Sequence, residues 1–141
     1  MAYSEKVLDH FYNPRNVGVI KGASGMGKVN DSACGDIIRL YVQIENEVVV
    51  DAKFQAYGSP ATIAVSSVAS EIIKDKKLEE LLQITKKQIK EELGELPQTK
   101  TYAYDLAVEA IYESVLDYER KLKGEKKPRK KQIRKSKKQD K

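Results

Sequence analysis

Two alternating runs constrain the fold of this chain more than any other feature. From Asp36 to Glu45, Ile38, Leu40, Val42 and Ile44 fall on one side, with Arg39, Tyr41 and Gln43 on the other. Val48 to Tyr57 repeats the pattern, with Val50, Ala52, Phe54 and Ala56 opposed by Asp51, Lys53 and Gln55. A period of two is that of a half-buried strand. Only the turn Glu45-Asn46-Glu47 separates the runs, so they pair as an antiparallel hairpin with one face on a core. The preceding segment, Gly18 to Asn30, holds four glycines and reads as a loop followed by a short strand. Together these predict a three-stranded meander.

An apolar sheet face has to be covered. Gly58-Ser59-Pro60 ends the second run, and Pro60 suits the first turn of a helix. That helix runs to about Lys74, and Ala61, Ile63, Ala64, Val65, Val68, Ile72 and Ile73 make it apolar over most of its girth. Such a helix is buried, here across the sheet. Before the sheet, Ser4 to Tyr12 reads as a helix capped by Ser4, with Val7, Leu8 and Phe11 on one face and Asn13-Pro14 ending it. After the apolar helix, Leu78–Ile84 and Thr85–Leu93 read as two shorter amphipathic helices, stopped by Gly94. Leu96 to Lys100 reads as an extended link. From about Thr101 a long helix carries Leu106, Ala107, Ala110, Ile111, Ser114, Val115, Tyr118 and Leu122 on one face. The fold class is α+β: a small three-stranded antiparallel sheet packed with about five helices.

Charge divides the chain in two. The net formal charge of the 141 residues is +5. Eleven Lys or Arg and two acids lie between Lys123 and Lys141, a balance of +9, so residues 1–122 carry −4. Apolar periodicity also stops beyond Gly124. We therefore read 1–122 as one folded domain and 123–141 as a basic, disordered tail. No apolar run approaches the roughly 18 residues of a membrane span. Met1 to Lys6 lacks the basic-then-apolar layout of a secretory signal. A lone cysteine builds no disulfide framework within one chain. These features point to a reducing cytoplasm and to no membrane partner.

Chemistry concentrates at Ala33-Cys34-Gly35-Asp36, where the single cysteine precedes a carboxylate by two residues. A thiolate and a carboxylate on one tight turn can act as neighbouring metal ligands, or as a nucleophile beside a charge. His10, the one histidine, has no cysteine or acid at ligand spacing and reads as a surface or partly buried side chain. Gly25-Met26-Gly27 lacks the Gly-Lys-Ser/Thr ending and following helix of a phosphate loop. No acid–base pair or Ser-His-Asp set is evident, so the chain is not read as an enzyme.

Several local sequences resemble the IscU/NifU-type iron–sulfur cluster scaffold proteins. Tyr3-Ser4-Glu5-Lys6-Val7-Leu8-Asp9-His10-Phe11, followed by Asn13-Pro14-Arg15-Asn16-Val17-Gly18, looks like the family's N-terminal signature. Ala33-Cys34-Gly35-Asp36 is similar to its first ligand loop. Phe54-Gln55-Ala56-Tyr57-Gly58 is similar to the strand before its second, and Ala64 to Ser67 to the helix after it. Leu96-Pro97 with Lys100 looks like part of a chaperone-recognition motif, with Gln98 and Thr99 where proline and an aliphatic residue are usual. The resemblance implies cofactor and metal ligands at Cys34 and Asp36, for iron or a [2Fe–2S] cluster. It implies a cysteine desulfurase as partner, together with a chaperone or cluster acceptor.

The departures from that pattern fall on the ligands. Ser59 stands where the family has its second cysteine, and Tyr102-Ala103 where it has histidine then cysteine. A [2Fe–2S] cluster takes four outer ligands, usually thiolates, and one chain offers a single thiolate. Ser59 and Tyr102 add only hard oxygen donors. The readings left open are a cluster or iron bound weakly or shared with a partner or second subunit, sulfur accepted on Cys34, and a single iron or zinc held by Cys34 and Asp36 with Tyr102, Tyr104 or Asp105. The alternative is a metal-free interaction module on the same fold. Its basic tail then binds nucleic acid or an acidic partner, or serves only as a solvated extension.

Overall fold

The computed structural model describes residues 3–124. The predicted tail, apart from its first two residues, and any role for it lie outside the described residues. The order of elements is α1 (Glu5–Tyr12), β1 (Gly25–Asp31), β2 (Asp36–Glu45), β3 (Val48–Tyr57), α2 (Pro60–Ile73), α3 (Leu78–Leu81), α4 (Lys86–Leu93) and α5 (Tyr102–Leu122). A three-residue 3₁₀ turn, Gln98–Lys100, lies within the segment expected to be an extended link. The sheet is antiparallel throughout, in the order β1-β2-β3.

The hairpin forms as its alternation dictates, with one irregularity. Ile38, Leu40, Val42 and Ile44 are buried on one face, together with Ala52 and Phe54 of β3. Gln43 pairs with Asp51 but Ile44 with Val49, so one residue of β3 is extra. This bulge turns Val49 into the core and leaves Val50 exposed, opposite to the strict alternation. The other sheet face stays polar, with the Tyr41 hydroxyl donating to Gln55 Oε1 at 3.1 Å.

α2 and α5 lie against the apolar face. Ala61, Ala64, Val65, Val68 and Ile73 of α2 are buried, as are Ala103, Leu106, Ala107, Ala110, Ile111 and Val115 of α5. Leu122, expected on the same face of α5, is exposed at the last residue of the helix. α3 is a single turn, shorter than its predicted span, and Leu82 just beyond it is exposed.

Both sheet edges are partly covered. Along β1, α5 comes close enough for Asp117 Oδ2 to accept the Met26 N–H at 2.8 Å. A Cβ on Gly25 or Gly27 would overlap the α5 backbone at Ser114 or Ala110. The glycines of β1 are therefore packing residues. Along β3, the Phe54 N–H donates to Asn16 O at 2.9 Å and the Gly18 N–H to Phe54 O at 2.8 Å, so residues 16–18 act as a short extra edge strand. Covering an edge reduces the open backbone groups through which sheets aggregate.

Candidate functional site

The turn between β1 and β2 is organised by Asp31. Its Oδ1 accepts the N–H groups of Ala33 at 3.0 Å and Cys34 at 3.3 Å, and its carbonyl accepts the Gly35 N–H at 2.7 Å. Gly35 closes the turn at φ 76°, in the left-handed region that glycine adopts without a Cβ penalty. Cys34 is thus presented at the tip of the turn, as an exposed free thiol. Asp36 begins β2 on its inward face and is only 2% exposed.

Every oxygen of the Asp36 carboxylate has a donor. Oδ1 accepts the Ser59 N–H at 3.3 Å, and Oδ2 accepts the Thr62 hydroxyl at 2.8 Å and the Tyr102 hydroxyl. Gly58, at φ 136°, gives the carboxylate its space, since a Cβ there would overlap Oδ1. Ser59 is the N-cap residue of α2 but makes no side-chain cap bond, and the first turn carries no acid of its own. The Asp36 carboxylate therefore supplies from β2 the acceptor and negative charge that a helix N-terminus favours. Ser59 Oγ and Thr62 Oγ1 lie 3.4 Å apart beside it.

Tyr102 is the first residue of α5, and its phenol is held strongly towards the protonated form. Burial is the main cause; hydrogen bonding to Asp36 and Cys34 adds to it and Ser59 opposes it. Cys34, Asp36, Ser59 and Tyr102 therefore share one cluster, although they come from three separate segments. Thr62 and Gly58 complete it. Sequence reasoning missed both, though a hydroxyl in the first turn of an otherwise apolar helix was a usable signal for Thr62.

Four other residues singled out in the sequence lie elsewhere. The Tyr104 hydroxyl donates to Gly94 O at 2.6 Å, and Asp105 is a surface partner of Lys86 at 3.6 Å, so neither joins Cys34. Ala103 is fully buried in the core. His10 is more buried than expected: Nδ1 lies 2.7 Å from Ser67 Oγ, which also accepts the Arg15 N–H at 2.9 Å. Nε2 stands 3.9 Å from Glu71. Ser67 is nearly one and a half turns along α2 from Thr62, so His10 pins α1 to α2 and is separate from the cysteine.

Family membership follows from the whole domain. The NifU-like N-terminal domain matches residues 2–125. This chain belongs to that family. It is 45% identical over 119 residues to the iron–sulfur cluster assembly scaffold protein IscU 1 of Archaeoglobus fulgidus, covering 84% of this chain and 78% of that one. It is 46% identical over 125 residues to the scaffold protein IscU of Haemophilus influenzae, covering 86% and 98%. The crystal structure of an N-terminal NifU-like protein from Brucella abortus superposes with a TM-score of 0.55 at 18% identity, over 82% of this chain and 86% of that one, which shows the shared fold.

The donor set of this NifU-like domain does not fit a cluster held by one chain. Among the described residues, no group of three or more His, Cys, Asp or Glu side chains could hold a metal ion. The cluster around Cys34 offers one thiol, three neutral hydroxyls and a carboxylate already bonded to three donors. Oxygen donors of this kind are poor substitutes for thiolate towards iron sulfide.

Proposed function

We propose that this NifU-like domain works in iron–sulfur cluster assembly as a scaffold-type protein that engages its cargo through Cys34. A partner supplies the cluster ligands that this chain lacks. Kinship with proteins named as cluster assembly scaffolds supports the process. The observation that carries the specific reading is the contrast between an exposed Cys34 and an Asp36 enclosed by three donors. The thiol is presented outward, where a cysteine desulfurase or a cluster acceptor can reach it. Asp36 shapes the site and is not the first group a cargo meets.

Sulfur delivery to such a thiol balances simply. The Cys34 thiolate attacks the outer sulfur of a donor persulfide, a new S–S bond forms on Cys34, and the donor cysteine leaves as thiolate. The role is that of a carrier in a reducing compartment, and no substrate is turned over. The test is anaerobic incubation with iron, cysteine and a cysteine desulfurase, read by visible absorption and by mass spectrometry of the Cys34 peptide. One added sulfur on Cys34, with a chromophore only when a ligand-supplying partner is present, is the expected result. An unmodified Cys34 together with no chromophore in either case would remove this reading. Among the described residues no helix is long and apolar enough to cross a membrane.

A further inference from the structure

We propose that Asp36 is the hub of an internal hydrogen-bonded clasp that fastens the three segments of the site to one another in the way a bound cation would, so that this domain is ordered without metal. The start of β2, the β3–α2 junction and the start of α5 meet at this one carboxylate. It accepts the Ser59 N–H and the Thr62 hydroxyl from the first turn of α2, and the Tyr102 hydroxyl from the first residue of α5. A carboxylate has about four acceptor positions, and three are filled. Asp36 itself is only 2% exposed, and Thr62 is fully buried beside it.

The surroundings are built for that arrangement. The missing side chain at Gly58 makes the space for Asp36 Oδ1. Ser59 leaves the α2 N-terminus without a side-chain cap, so the helix depends on a carboxylate from another segment. A cation taking more than the one open position on Asp36 would displace a donor, and displacing Thr62 would strand a fully buried hydroxyl, which costs more than a surface hydrogen bond gains. The clasp and a metal therefore compete for the same oxygens. This goes beyond the proposed cargo role of Cys34 and does not rest on it.

The test is thermal unfolding of the full chain in EDTA and with Zn(II), and anaerobically with Fe(II), alongside the Tyr102→Phe and Thr62→Val variants and their combination. Amide exchange is followed at the start of α2. The wild type is expected to melt at the same temperature with chelator and with metal. Tyr102→Phe is expected to lower Tm by at least about 4 °C, the scale of losing one partly buried, charge-assisted hydrogen bond. It should also speed exchange at the first turn of α2, and the double variant should lose less than the sum of the singles. A metal-induced rise in wild-type Tm that Asp36→Asn abolishes would overturn the proposal, because Asp36 would then be a free ligand. So would a Tyr102→Phe protein with unchanged Tm and exchange. Should Tyr102→Phe not fold, the chelator and metal arms on the wild type still decide between the two outcomes.

Discussion

Single side chains set how this domain responds to solution conditions, and His10 is the clearest case. Burial holds its pKa below the usual 6.5, with the nearby Arg15 guanidinium acting in the same direction and Glu71 and Asp9 opposing. A depressed pKa means that the unfolded chain binds the proton better than the folded one. The stability associated with neutral His10 is therefore fully present above about pH 6.5 and is lost as pH falls through that value towards the folded pKa. Comparing Tm at about pH 7.5 and pH 5.5 in wild type and His10→Gln isolates this group, because the carboxylates titrate alike in both. The variant should show the smaller drop. An equal drop would mean that His10 takes up its proton without cost. Nothing in the spacing of His10 announced this burial, since the Ser67 that anchors it lies 57 residues away. Cys34 and Asp36 were legible as a pair from the sequence. Their opposite fates were not, because these depend on Thr62 and Tyr102, which no local pattern links to residue 36.

At the scale of elements, periodicity carried most of the information. The alternation of β2 and the three-to-four spacing on α2 and α5 each declare a buried face, and those faces meet. The bulge at Gln43/Ile44 was invisible, because Val48, Val49 and Val50 are all apolar and only the pairing shows the extra residue. β1 was read as a strand, but its glycines had no assigned purpose. Their reason lies in α5, more than eighty residues downstream, whose backbone passes over them. A Cβ on Gly27 would overlap Ala110 O and stand 2.6 Å from Ser114 N, both backbone atoms of a helix that cannot yield locally. Gly27→Ala must therefore push α5 away from the sheet. We expect it to cost about 1–3 kcal/mol, the range for overpacked cores, read as a lower urea midpoint with an unchanged slope. Because the glycine serves packing, inorganic phosphate should protect neither protein against urea.

For the whole molecule, charge is unevenly divided along the sequence. Every residue of the described hydrophobic core lies between Val7 and Val115. The +9 balance of residues 123–141 is set against −4 in the remainder. If residues 125–141 lie outside that core, their positive charge adds electrostatic attraction for polyanions and little stability. A chain ending at Gly124 keeps all of the described core, the Asp117–Met26 link across the β1 edge and the Asp36 cluster. Its Tm should match the full chain within about 2 °C, because surface changes of this kind are worth about half a kcal/mol or less. Its electrostatics should not match. The full chain should stay on an immobilised heparin column at low salt and leave as salt rises, because each Lys or Arg bound to an anionic polymer releases counterions. The shortened chain, with its net negative domain, should pass straight through. If both were retained alike, the attraction would lie on the folded surface and the division between an acidic domain and a basic tail would be wrong. If the shortened chain instead melted far below the full one, residues beyond Gly124 would belong to the folded unit.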